Sequence, residues 1–474
     1  MSKRTSSAAS KLNIAALMTA LVGACIAFQL NASMLSPVLV TMGRELHADD
    51  AAIGLSQTAF FTSAALFSIF LPRLSDTLGR KRVLFWMLVT MTAGTVVAAL
   101  APNLAVLYLA RIIQGVSGPV VPLCLLMLRA EISEPKLYGT MLGVVTATNG
   151  GIAGIDALAG GFLAGSYGFR SVFWVIAIVA TLATISVWIW ARESRPSKGV
   201  RMDWIGVATL SVAVGAFLIA LDEAAKLAVA NWVFVGVLVL VAVAAFVTFW
   251  RVETVRKNPL ISITDLTKRS TWALLLTTLL TMTGVFATVN GVVIDYAQNA
   301  HSGFGLASGV ASLALLTPYA LVGWLVGPLA GRYSPILGYG RVLRIGLVGS
   351  LIAIVGMMFV GLHSLPAMIA ATVLIGVTYA GTTNIVLNGL GIVLSPHDNP
   401  GILPGLNAGV FNLGAALSFV VLPAVQLIGS PAGSSSSSGY FSAILVGLII
   451  TGAALAASFL IPRPVAAEAK DGTR

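Results

Sequence analysis

The chain has 474 residues, 57% hydrophobic and only 9% charged, with a net charge of +11 and a mean hydropathy of +0.95. Soluble domains carry roughly a quarter charged residues, so a soluble enzyme or binding domain is excluded and an integral membrane protein with little extramembrane mass is expected. The two cysteines, Cys25 and Cys124, lie inside apolar runs and offer neither metal-ligand spacing nor a disulfide framework.

In chain order, residues 1–11 form a basic, Ser-rich head with Lys3, Arg4 and Lys11. It imitates a signal peptide, but the apolar run over 12–41 is too long for one and is read as the first span. Apolar segments recur at 51–71, 83–101, 104–128, 138–166 and 171–191, then at 204–221 and 232–250. The last six are 272–294, 306–330, 342–362, 365–394, 401–428 and 440–461. Most reach the ~20 residues that cross a bilayer, which predicts fourteen spans. Between the second and third, the run from Pro72 to Arg82 holds one carboxylate, Asp76, and four cations, Arg73, Arg80, Lys81 and Arg82. A connection that short makes an antiparallel hairpin, and its cations assign it to the cytoplasmic side. All 28 Lys and Arg residues but four then fall on cytoplasmic pieces; the exceptions are Arg44, Arg170 and Lys226 in outer loops and Arg111 within a span. The positive charge therefore orients the chain in a cell membrane, with both termini cytoplasmic, and implies no nucleic-acid partner. The uncharged stretch 433–439 reads as a flexible outer connector.

Asp76-x-x-Gly79-Arg80-Lys81 resembles the loop between the second and third spans of the major facilitator superfamily, with Pro72 and Thr77 where that family has a glycine and a basic residue. Arg111-Ile112-Ile113-Gln114-Gly115-Val116-Ser117-Gly118 resembles its fourth-span element Arg-x-x-Gln-Gly-x-Gly, with Ser117 in place of a glycine. Gly160-Gly161 fit the end of the fifth-span antiporter signature, but Asp156-Ala157 stand where Gly-Pro is expected. A weak repeat supports two halves: Gly327-Pro328-Leu329-Ala330-Gly331-Arg332 and Gly340-Arg341 echo the stretch from Pro72 to Arg80. Six, two and six spans resemble the fourteen-span drug–proton antiporter branch. The resemblance implies an all-α polytopic membrane protein with two six-helix bundles, 1–192 and 270–474, two inserted central spans within 193–269, and alternating access by rocking of the bundles.

Arg111 lies about 12 Å from the outer edge at 1.5 Å per residue, a depth that is costly unless the guanidinium faces a cavity or a carboxylate. Snorkelling to the headgroups is the alternative. Gln114, three residues on, continues the same face. Asp156 lies at a similar depth, some 15 Å. Two readings stand: Asp156 couples to protons opposite Arg111, or it only neutralises Arg111. Asn31 occupies a first-span position where the branch often has an aspartate motif, and is expected in the same central cavity. Asp76, Gly79 and Arg80 are assigned to a cytoplasmic gate. Asp295, Asn290, Tyr379, Asn384, Asn407 and Asn412 either line the substrate path or bond between helices. The histidines are scattered, so no metal site is expected, and no glycine-rich loop followed by Lys and Ser/Thr signals a nucleotide.

These features predict a secondary active transporter and not an enzyme, needing no cofactor beyond a proton gradient. Its expected activity is proton-coupled efflux of amphipathic, drug-like or cationic small molecules. Export of an anionic metabolite or siderophore, with Arg111 as ligand, is the nearest alternative. A transport-inactive membrane sensor or scaffold is the alternative from another class.

Overall fold

The computed structural model describes residues 2–48, 50–132, 135–194, 202–226, 230–256, 259–395, 402–429 and 437–463, and among these no strand occurs. Among the described residues, thirteen helices are long and apolar enough to cross a membrane: α1 Ile14–Leu46, α2 Ala52–Leu78, α3 Arg80–Ala99, α4 Leu104–Glu131, α6 Phe169–Trp190, α7 Trp204–Ala225, α8 Trp232–Val255, α9 Arg269–Gln298, α10 Ser308–Leu337, α11 Tyr339–His363, α12 Leu365–Val393, α13 Leu403–Ile428 and α14 Ser437–Ser458. A further helix of 33 residues, α5 Pro135–Tyr167, stands where the fifth span is expected. Helices are what such sequences must form, because in hydrocarbon every backbone N–H and C=O has to be satisfied within the segment.

The helices pack as two bundles with matching internal contacts. In the first, α1 packs on α5 and α6, α2 on α4, and α3 on α6; in the second, α9 packs on α13 and α14, α10 on α12, and α11 on α14. The bundles meet through α2 against α13 and α5 against α10. The inserted hairpin α7–α8 sits outside this interface, with α7 touching α2 and α13 and α8 packing chiefly on α7.

Two sequence readings are corrected. The expected ten-residue connection after the second span is mostly helix: α2 continues to Leu78 with Pro72 inside it, and only Gly79 is non-helical before α3. Proline removes one backbone donor, a loss that packing against neighbouring helices tolerates within a membrane bundle. The repeat is also shifted by two residues. Gly338, at φ +90°, is the counterpart of Gly79, at φ +99°, and not Gly340. A positive φ is what turns one span directly into the next, and glycine adopts it without strain. In the stretch 433–439, residues 437–439 open α14 and the rest lies outside the described residues.

Carboxylates stabilise two of these tight junctions. At the α2–α3 turn, Glu193 accepts from the backbone N–H groups of Lys81 and Arg82, each at 3.1 Å. At the opposite end, Glu45 accepts from Phe169 N at 3.0 Å and pairs with Arg170 at 3.2 Å, just after Gly168 at φ +80°. An anion at a helix N-terminus satisfies donors that have no partner within the helix.

Candidate functional site

Arg111 is fully buried, so it does not snorkel. Its Nη1 donates to Gln114 Oε1 (2.7 Å) and to the Asn31 carbonyl (3.2 Å); its Nη2 donates to the same carbonyl (3.2 Å) and to Gln57 Oε1. Nε reaches the Ser56 carbonyl at 3.4 Å, and the guanidinium carbon lies 4.3 Å from the Phe60 ring centroid. Every one of these acceptors is uncharged. Gln114 in turn donates to Thr95 Oγ1 at 3.1 Å. Arg111, Gln114 and Asn31 thus form one network inside the first bundle, tying α4 to α1, α2 and α3.

Asp156 is outside that network. Its Oδ2 accepts the hydroxyl of Ser33 on α1 at 2.6 Å, while Oδ1 is buried with no hydrogen-bond partner. Among the described residues, neither Asp156 nor Arg111 takes part in an ion pair. The expected opposition of the two is therefore not present. Equal depth along adjacent spans says nothing about azimuth: Asp156 is turned towards Ser33, and Arg111 towards Phe60 and the carbonyls of Asn31 and Ser56.

A central cavity lies between the bundles. Gln29 and Ser33 of α1 contribute to it from one side; Asn290 of α9, Tyr319 of α10, Tyr379, Asn384 and Asn388 of α12, and Asn407 and Asn412 of α13 from the other. Phe28, Phe61, Phe286 and Phe411 add aromatic faces. No lining residue is charged. Phe61 and Phe286 meet edge to face at 5.4 Å across the bundle boundary, backed by Phe419. From there the wall runs towards Leu125, Ile392 and Pro404; Leu125 adjoins Leu126, whose carbonyl accepts from Arg80 at the α2–α3 turn (2.9 Å). At the opposite end α5, α1 and α10 close together. Ser308 Oγ donates to the Pro37 carbonyl at 2.5 Å, and a Cβ on Gly161 would come within 2.9 Å of Ser312 Oγ.

Of the residues singled out from sequence, Asn290, Tyr379, Asn384, Asn407 and Asn412 line this cavity. Asp295 does not; its Oδ2 accepts from Tyr440 OH (2.6 Å) and Gln426 Nε2 (3.2 Å) within the second bundle. Arg111, Gln114, Asn31 and Asp156 stand behind the wall, with Ser33 between Asp156 and the cavity. The phenylalanines and Tyr319 were not singled out, because aromatic residues in an apolar span read as core. Local widening is a second feature hidden from hydropathy: π-helical turns at Thr288–Val293 and Gly376–Thr383 carry Asn290 and Tyr379. Such turns interrupt the regular helical register and recur at functional sites.

At the α2–α3 turn, Asp76 Oδ1 pairs with Arg80 Nη2 at 3.2 Å. The backbone N–H of Arg80 donates to Ser194 Oγ (2.9 Å), fastening the turn to the end of α6. Gly79, Asp76 and Arg80 are thus one local unit. Arg73, one helical turn before Asp76, donates to the Leu260 carbonyl at 2.6 Å, which ties α2 to the segment preceding α9.

Residues 21–419 match the family model described as Major Facilitator Superfamily. The chain is 49% identical over 455 residues, 95% of each chain, to a protein of Lactococcus lactis subsp. cremoris (strain MG1363) named Uridine/deoxyuridine transporter. It is 28% identical over 395 residues, 79% of this chain and 67% of the relative, to Multidrug resistance protein Stp of Mycobacterium tuberculosis. Among solved structures, the nucleoside transporter NupG superposes with a TM-score of 0.62 at 13% identity, covering 94% of this chain and 99% of that one, which shows the shared fold. The expectation of proton-coupled efflux of drug-like or cationic compounds is overturned by the 49% identical relative, whose name is that of a nucleoside transporter. The sequence motifs behind that expectation lie in the α2–α3 turn, the Arg111 network and the α5 packing face. Of the residues in these motifs, Gly118 alone is on the cavity wall.

Proposed function

The chain belongs to the major facilitator superfamily, and we propose that it is a membrane transporter of neutral nucleosides of the uridine type, working by alternating access of its central cavity. The observation that carries this reading is the cavity wall: amides, hydroxyls and phenyl rings, with no charged side chain. A nucleoside is a neutral flat base joined to a hydroxyl-rich sugar. Aromatic faces bury the base, and uncharged hydrogen-bonding groups replace the water that base and sugar lose. A cationic drug would meet no counter-charge on this wall, and an anion would not reach Arg111, which is enclosed by its own acceptors.

Ser33 and Asp156 support proton-driven uptake as the energy source. The single hydroxyl hydrogen of Ser33 has two acceptors, Asp156 Oδ2 at 2.6 Å and the Gln29 carbonyl at 3.0 Å, while Gln29 Nε2 donates to Ser33 Oγ at 2.9 Å. When Asp156 is ionised, the hydrogen points to it. When Asp156 is protonated, its own O–H donates to Ser33 Oγ, and the Ser33 hydrogen swings back. Protonation behind the wall thereby changes the hydrogen bonding of residues on the wall. The basic α2–α3 turn faces the cytoplasm in this reading, so the described conformation closes the outer end. The test is uptake of radiolabelled uridine into proteoliposomes with an imposed pH gradient, with competition by other nucleosides and by cationic drugs. Saturable uridine accumulation that collapses with the gradient is expected; uptake of a cationic dye without uridine uptake would refute the reading.

A further inference from the structure

Four asparagines on the second-bundle side of the cavity are held in defined orientations. Asn290, Asn388 and Asn412 each donate Nδ2–H to the carbonyl four residues earlier, those of Phe286 (3.0 Å), Asn384 (2.9 Å) and Ala408 (2.9 Å). This turns each Nδ2 towards its own helix; Asn412 Nδ2 also donates to Ser68 Oγ at 3.4 Å, so its Oδ1 is left to accept, whereas Asn290 keeps one N–H beside its Oδ1. Asn388 also donates to Asn384 Oδ1 at 2.9 Å, which fixes Asn384 the other way round, with its NH2 offered. Asn412 is only 3% exposed, and its Oδ1 has no hydrogen-bond partner. A buried acceptor left unmatched is costly, and a ligand donor removes that cost.

Two kinds of recognition surface follow from this. Asn412 is left with an acceptor and Asn290 with an acceptor beside one N–H, which suits hydroxyls, groups that donate and also accept. Asn384 and Asn388, one helical turn apart on α12, present a donor beside an acceptor, which suits a base edge where an acceptor and a donor adjoin. The uracil imide is such an edge, with a carbonyl next to N3–H. We infer that Asn384 and Asn388 read the imide edge of a uracil-type base while Asn290 and Asn412 accept from the sugar hydroxyls. This rests on the nucleoside reading above and assigns its parts to residues.

The experiment is competition of uridine, N3-methyluridine and 2′,3′-dideoxyuridine against labelled uridine on the purified full chain. Each analogue removes a donor that one pair would meet, so each should bind the wild type at least about tenfold more weakly than uridine. In Asn388→Ala the penalty for N3-methylation should shrink towards none, while the penalty for the missing hydroxyls stays. Asn412→Ala and Asn290→Ala should show the reverse. Each comparison is a ratio within one variant, so loss of folded protein lowers the signal without changing the result. Asn388→Ser and Asn412→Ser give the same ratios where an alanine variant retains no binding. Uridine binding with both penalties unchanged in the variants overturns this assignment alone. A wild type that neither binds nor transports uridine overturns the nucleoside reading, and this assignment with it.

Discussion

Ser33 Oγ donates to Asp156 Oδ2 across 2.6 Å, joining α1 to α5, and Ser33 is itself part of the cavity wall. The acid is therefore one hydroxyl away from the cavity, and no cation pairs with it among the described residues. Asp156→Asn should abolish accumulation of uridine driven by a pH gradient and flatten the pH dependence of uptake, while exchange of internal for external uridine continues. Ser33→Ala should retain gradient-driven uptake at a reduced rate. Full gradient-driven accumulation by Asp156→Asn in proteoliposomes would show the carboxyl to be structural.

Arg111 is surrounded by the oxygen atoms of Asn31, Ser56, Gln57 and Gln114, which it alone bridges. Truncation leaves the buried Gln57 and Gln114 amide oxygens without that donor, at a cost on the order of 2–3 kcal/mol. Arg111→Ala should lower the melting temperature in detergent. Arg111→Lys should lower it too, since an ammonium cannot reproduce the planar fork. The pH profile of the residual transport should match wild type. A shifted profile with unchanged stability would return Arg111 to a role in proton coupling.

Gly79 has φ +99°, and a Cβ there would meet the Glu193 carboxylate that caps α3. With ψ 135° this backbone conformation is one that residues other than glycine rarely adopt, at a cost on the order of 1–3 kcal/mol. Gly79→Ala should displace Glu193 and slow turnover. Asp76→Asn, which removes the partner of Arg80, should also slow turnover without a matching loss of equilibrium uridine binding. Binding assays beside transport rates separate the two effects; weakened binding at normal turnover would move this unit from the gate to the substrate site.

Arg332 on α10 and His301 before it are both exposed, at opposite ends of that helix. With the buried Cys25 and Cys124 replaced by alanine, Arg332→Cys should be labelled by an impermeant thiol reagent only from the cytoplasm. His301→Cys should react only from outside. Labelling of both from the same side would reject the orientation drawn from the basic loops.

The outline of two bundles with an inserted hairpin came from a weak repeat and a family resemblance; hydropathy and charge placement by themselves determined the helical class, the succession of apolar segments and a buried arginine that had to be accommodated. Those properties depend on composition over about 20 residues at a time, and a bilayer imposes them on any sequence that enters it. Five of the polar residues on the cavity wall were also visible, because asparagine and tyrosine interrupt apolar runs. Their facing was decided by tertiary structure. Whether Asp156 meets Arg111 or Ser33 depends on rotation about two helix axes, and two residues at one depth can point to different neighbours. The same applies to Phe61, Phe286 and Phe411, which share the composition of the core and become cavity wall only because the bundles leave space beside them. The motifs legible in the sequence serve chiefly turns, packing and the enclosed arginine. The cavity wall is assembled from seven helices, α1, α2, α4, α9, α10, α12 and α13. No stretch of the chain contains it, so only the packed molecule shows an uncharged, aromatic cavity.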